Sequence, residues 1–237
     1  MFFYDSSYMF IMIIGFALVL IPQMLVKSTY AKYAKVDNKR NLSGADVARA
    51  ILHNAGITDI KVEPVEGELT DHYDPSKKVV RLSEKNYYGK SIAALGVSAH
   101  EIGHVIQDKK GFIPMKIRAA IVPAANIGQS LGPILIMVGI GLRAIAHVGG
   151  MSDLVALTGI IFYAAIVLFH IITLPVEFDA SFRAIGLLSN GGYIEINEKP
   201  AAMKVLGAAA MTYVATALYA LMELLYWIWR LYGSRRD

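Results

Sequence analysis

Residues 6–26 read SSYMFIMIIGFALVLIPQMLV and carry no charged side chain. About 20 apolar residues in a helix cross a hydrocarbon core of roughly 30 Å, so this stretch is expected to span a membrane. Basic residues follow it closely (Lys27, Lys32, Lys35, Lys39 and Arg40), none precedes it, and no small-x-small cleavage pattern closes it. It therefore reads as a retained anchor rather than a signal peptide. Three more apolar segments, at about 119–141, 154–175 and 205–229, are each long enough to cross, which predicts four spans. The composition agrees: 55% hydrophobic and 18% charged residues are too apolar a mixture for an ordinary soluble domain.

The expected fold class is membrane α-helical with four spans and a small α+β domain. The chain divides into an N-terminal anchor (1–26), a hydrophilic insert (27–118), two spans (119–175), a polar loop or helix (176–204), and a last span with a basic tail (205–237). Four spans put the insert and the 176–204 segment on one side. Lys and Arg near the span ends number about twelve on that side and about four on the other, so the positive-inside rule makes the insert cytoplasmic in a bacterial-type cell membrane. The tail, with Arg235 and Arg236, runs against that bias. A net charge of +4 with no long basic run and no aromatic-basic pattern gives no reason to expect a nucleic-acid partner. There are no cysteines, so any metal must be held by His, Asp or Glu.

Within the insert, Ser43 followed by GADVARAILHNAG predicts a capped amphipathic helix with Val47, Ile51 and Ala55 on one face and Gly56 as its stop. ITDIKVEPVEG and KKVVRLS are β-branched and bounded by turn chemistry at Asp74-Pro75-Ser76, which predicts two or three short strands. From Ser83 or Ser91 to Gln107 the pattern is helical again.

That last helix contains His100-Glu101-Ile102-Gly103-His104. Positions i and i+4 lie one turn apart on one helix face, so both imidazoles can point at one ion while Glu101 reaches beside it. Two nitrogens, an open position for water and an adjacent carboxylate are the parts of a hydrolytic zinc centre, with Glu101 as general base. Leu95, Ala99, Ile102 and Ile106 form an apolar stripe turned away from the histidines, so the helix can pack on one side and bind on the other. A zincin-like character for the insert and one Zn2+ per chain follow.

A third ligand is still required, and Leu174-Pro175-Val176-Glu177-Phe178-Asp179-Ala180-Ser181 opens the second polar segment. Two spans separate it from His104, and an even number returns the chain to the same face. Pro175 fits the first turn of a new helix, which would set Glu177 and Ser181 on one side of it. Glu177 is the expected ligand. Asp179 is its rival, or else the acceptor that orients a histidine Nδ1–H.

GELTDHYDPSKKVVRLS (67–83), SIAALGVSAHEIGHVIQ (91–107), LPVEFDASFRAI (174–185) and VLGAAAMTYVA (205–215) together resemble the zinc-dependent membrane peptidases of the YugP-like group. These are in turn distantly similar to the HtpX-like membrane metalloproteases. The resemblance implies that His100, His104 and Glu177 hold zinc and that Glu101 is the catalytic base. The corresponding HtpX-like motif is similar to E-x-x-A-D; this chain has Ser181 in place of its last residue, with Asp179 available as a substitute. KKVVRLS looks like the edge strand on which zincins lay an extended substrate, although an ordinary hairpin strand reads the same way.

Weaker signals remain. His72 fits a polar turn that positions a strand better than it fits a fourth ligand. Tyr213, behind the small-residue run Gly207–Ala210, and Arg183 are candidates for stabilising an oxyanion. His170 lies inside a span, where bonding to a neighbouring helix is the simplest role. His53 and His147 read as solvent-facing or structural. The expected activity is peptide-bond hydrolysis on peptides or membrane proteins at the bilayer surface, in membrane-protein processing or quality control. The alternative is a non-catalytic membrane zinc scaffold or chaperone.

Overall fold

The computed structural model describes residues 6–146 and 149–233, the side chains of 144–146 and 149 aside. His147, Arg235 and Arg236 lie outside them. In chain order the elements are α1 (Ser6–Tyr33), α2 (Gly44–Asn54), β1 (Lys61–Val65), β2 (His72–Asp74), β3 (Val79–Ser83), α3 (Glu84–Tyr87), α4 (Ile92–Lys109), α5 (Ile113–Ala146), α6 (Gly149–Asn190) and α7 (Lys199–Tyr232). Four of them, α1, α5, α6 and α7, are long and apolar enough to cross a membrane. The protein is a membrane helical protein with a small α+β part.

The chain forms two compact units. One comprises Met1–Ile21, Lys116–Leu174 and Tyr213–Asp237. Its described residues come almost entirely from the four long helices, and its core gathers Ile136, Ala156, Ile160, Tyr163, Val167, Ala220, Tyr226, Trp227 and Leu231. Tyr163 donates to Glu223 at 2.6 Å, which gives an acid in a span a hydrogen-bonded partner.

The other unit comprises Pro22–Met115 and Pro175–Thr212. Ser43 caps α2 through a capping box with Asp46, and Gly56 follows the helix with φ 68°. Val47, Ile51 and Leu52 of α2 pack with Val80 and Leu82 of β3, with Leu95, Ile102 and Val105 of α4, and with Leu188 and Leu206. The sheet order is β1-β3-β2, parallel between β1 and β3 and antiparallel between β3 and β2. The expectation that KKVVRLS forms an edge strand is therefore corrected: β3 is central. Val79, Val80 and Leu82 are all buried, and an apolar run that buries both faces suits an inner strand. The edge β1 carries Pro64, which has no N–H to give to a second neighbour.

Pro175 requires a second correction. It begins no new helix and interrupts none; α6 runs through it to Asn190. Proline frees one carbonyl in the preceding turn, a loss that membrane helices absorb through hydroxyls and neighbouring groups. His170, Glu177 and Ser181 therefore share one helix.

Candidate metal centre

Ser91 starts α4 by accepting from the Ala94 N–H at 3.1 Å. Leu95, Ala99 and Ile102 are fully buried and Ile106 nearly so. Their stripe fixes the rotation of α4, and with it the face on which His100 and His104 stand. The His100 and His104 rings lie 4.7 Å apart, nearly perpendicular.

Glu177 of α6 meets both of them. Its Oε2 stands 3.3 Å from His100 Nε2 and 3.7 Å from His104 Nε2. Among the described residues, His100, His104 and Glu177 form the one His/Asp/Glu group with ligand atoms mutually within 4.8 Å. Ligands at roughly 2.1 Å in a tetrahedron stand about 3.4 Å apart, so this spacing fits a zinc ion. All three side chains are largely withdrawn from water: Glu177 is 3% exposed and His104 9%.

Gly103 is the reason α6 can come so near. A Cβ built there would stand 2.7 Å from the Ala180 carbonyl oxygen and 3.1 Å from its Cα. Only hydrogen fits, and the two helices touch backbone to backbone between Glu177 and Ser181. The glycine of the five-residue motif is thus a packing requirement of the site.

The far side of each imidazole is also engaged. Ser181 Oγ lies 3.2 Å from His100 Nδ1. Gln107, fully buried, has its amide oxygen 3.0 Å from His104 Nδ1, and its Nε2 donates to Val176 O and to Asp179 Oδ2, both at 2.8 Å. Both of those partners can only accept, which assigns the amide orientation and presents an oxygen to His104. The proton must then sit on Nδ1, and the lone pair on Nε2 faces Glu177. That is the tautomer a metal needs. Arg183 binds Asp179 through Nε at 2.5 Å and Nη2 at 3.1 Å, completing a chain from guanidinium to imidazole.

Glu101 lies in α4 and is itself 8% exposed. Burial pushes its carboxyl above the ordinary range, against the downward pull of His104 and His100, while Asp71 and Glu177 add to the rise. Asp71 holds the strands beside it, accepting from Ser83 N at 2.8 Å and Asn86 Nδ2 at 2.9 Å; Tyr30 donates to Asn86 Oδ1 at 2.7 Å. His72 is on the edge strand β2, with Nδ1 2.8 Å from Thr70 O and Nε2 3.4 Å from Arg81 Nη1. Tyr213 belongs to the other unit. Of the candidates outside the metal group, Ser181, Asp179 and Arg183 are brought to the histidines directly or through Gln107. Gln107 and Gly103 were given no role from sequence, and Asp71 only a place in the polar turn 71–74. Gln107 carried a legible signal, since it falls three residues after His104 on the same helix face.

The family described as "Putative neutral zinc metallopeptidase" matches residues 8–232. A curated relative from Bacillus subtilis (strain 168), "Putative membrane protease YugP", is 44% identical over 218 residues, covering 92% of this chain and 93% of the relative. No solved structure matches. With the match running from the first span through the last, and with a His-His-Glu group whose donors and spacing suit the metal, the chain belongs to the neutral zinc metallopeptidase family, as a membrane protein whose cofactor is zinc.

Proposed function

We propose that the protein is a membrane zinc metalloendopeptidase of the gluzincin type, with His100, His104 and Glu177 as the metal ligands and Glu101 as the general base. The observation that carries this reading is the convergence of His100 Nε2 and His104 Nε2 on Glu177 Oε2, at 3.3 and 3.7 Å, beside a buried carboxylate that takes no part in the trio. Zinc, when bound, supplies Lewis acidity, polarising a carbonyl and bringing the pKa of a bound water towards about 7.

The chain's own groups do the rest. Glu101 takes a proton from the attacking water as its oxygen adds to the scissile carbonyl carbon. It then returns that proton to the amide nitrogen as the C–N bond breaks, leaving a carboxylic acid and an amine with the base restored. Ser181 holds His100. Gln107, backed by Asp179 and Arg183, holds His104 in the Nε2-free form, so Arg183 serves orientation through Asp179.

Residues 27–118 act as the catalytic insert and 176–204 as the segment that supplies the third ligand. The basic residues around both support a cytoplasmic site. Substrates are peptides or membrane proteins at that surface, which suits membrane-protein processing or quality control. In detergent, a casein or peptide assay should lose activity on chelation and regain it with zinc; Glu177→Ala should bind substoichiometric zinc. Activity that survives complete metal removal, or full zinc occupancy without Glu177, overturns the assignment.

A further inference from the structure

We propose that the unit holding the zinc ligands also carries a site for an anionic phospholipid, in a groove between α1 and α7. The groove encloses about 440 Å3 and is lined by Leu25, Thr29, Lys32 and Tyr33 on α1 and by Lys204, Gly207, Ala208 and Met211 on α7. The spacing places each set on a single helix face, at i, i+4, i+7, i+8 and at i, i+3, i+4, i+7.

The groove is graded in polarity. Tyr30 of α1 and Val205 of α7 belong to one buried cluster with Ala93, and each helix contributes a lysine at one end of its lining stretch or next to it, Lys32 and Lys204, and an apolar residue at the other, Leu25 and Met211. Seven residues of helix, about 10 Å, separate the charged end from the apolar end. Leu25 and Met211 are 46% and 48% exposed. A Cβ at Gly207 meets nothing within 4 Å, so open space lies above the floor. Neither Lys32 nor Lys204 has a carboxylate partner among the described residues, whereas the neighbouring Lys39 is paired with Glu195 at 2.9 Å.

Two unneutralised ammonium groups at the mouth of an apolar cleft, on helices that cross a membrane, complement a ligand with a phosphate at one end and acyl chains at the other. An inorganic anion uses only the lysines and leaves the apolar half unfilled. A zwitterionic lipid brings a phosphate together with a compensating cation. The anionic phospholipid matches both halves.

The test is native mass spectrometry of the full chain released from nanodiscs of phosphatidylcholine containing phosphatidylglycerol. Wild type should retain phosphatidylglycerol. The double variant Lys32→Gln/Lys204→Gln should weaken retention about 30-fold, two surface charges at about 1 kcal/mol each. Gly207→Leu, which fills the groove and keeps the charge, should also lose the lipid. Lys27→Gln/Lys35→Gln, on the same helix end but outside the groove, should change retention by no more than a few fold. Equal losses in the two lysine pairs would reduce the effect to general surface charge and overturn the proposal. So would equal retention of phosphatidylcholine, unchanged binding in Gly207→Leu, or displacement of the lipid by millimolar inorganic phosphate.

Discussion

Replacing Gln107 by Met tests how the site prepares its second histidine. The side chains are close in volume, so the substitution removes hydrogen bonds without opening a cavity. It deletes the acceptor 3.0 Å from His104 Nδ1 and both donations from Nε2, to Val176 O and to Asp179 Oδ2. A buried donor left without a partner costs about 1–3 kcal/mol, and the imidazole loses the contact that keeps its Nε2 lone pair facing Glu177. Outer hydrogen bonds of this kind typically change metal affinity by about 10–100-fold, or about 1.4–2.7 kcal/mol. Zinc affinity of purified Gln107→Met in detergent, measured by competition with a fluorescent chelator, should fall within that range while the helical circular dichroism is retained. A dissociation constant within twofold of wild type would show that Gln107 does not set the tautomer and would refute the reasoning.

Two further perturbations have defined outcomes. Gly103→Ala places a methyl group where only 2.7 Å separates it from the Ala180 carbonyl oxygen, so α4 and α6 must part by several tenths of an ångström. Overpacking of this kind costs about 1–3 kcal/mol, and thermal melts together with zinc content after dialysis should both fall; wild-type values for both would contradict the close-contact account. Asp59 lies 2.8 Å from Lys109 Nζ and 3.1 Å from Lys78 Nζ. Those lysines, Lys109 first, pull its carboxyl down to about 2. Because the folded value is depressed, the stabilisation is present above about pH 4 and is lost as the pH falls towards about 2. Asp59→Asn should therefore melt slightly below wild type at pH 7, with the gap closing over that window and narrowing in high salt. A gap that persists at pH 2 would refute the ion-pair origin.

The four spans were legible because lack of charge over about 20 residues has few other meanings in a helix. HEIGH and its apolar stripe were equally direct, since both follow from a period of 3.6 residues. The register of the sheet was harder. The run of buried positions in Val79–Leu82 and the proline in β1 distinguish centre from edge, yet KKVVRLS read in isolation looked like the edge strand. Pro175 misled for a physical reason: a proline that would end a helix in water is accommodated inside a long membrane helix, and α6 continues through it to Glu177 and Ser181. Gly103 and Gln107 could not be valued from sequence alone. Their roles depend on which helix lies opposite, and nothing local to α4 says that Ala180 and Asp179 will be there.

Glu101 is the proposed base, beside a zinc ion that it does not bind. Glu101→Gln keeps the size and the hydrogen-bonding capacity of the side chain and removes the carboxylate, and the trio of His100, His104 and Glu177 is left intact. Zinc content and peptide cleavage measured on the same purified sample give the most direct test. The expected result is wild-type zinc stoichiometry with cleavage slowed by about 10²–10⁴-fold, the range for loss of a general base. A zinc-loaded Glu101→Gln protein that cleaves at the wild-type rate would contradict it.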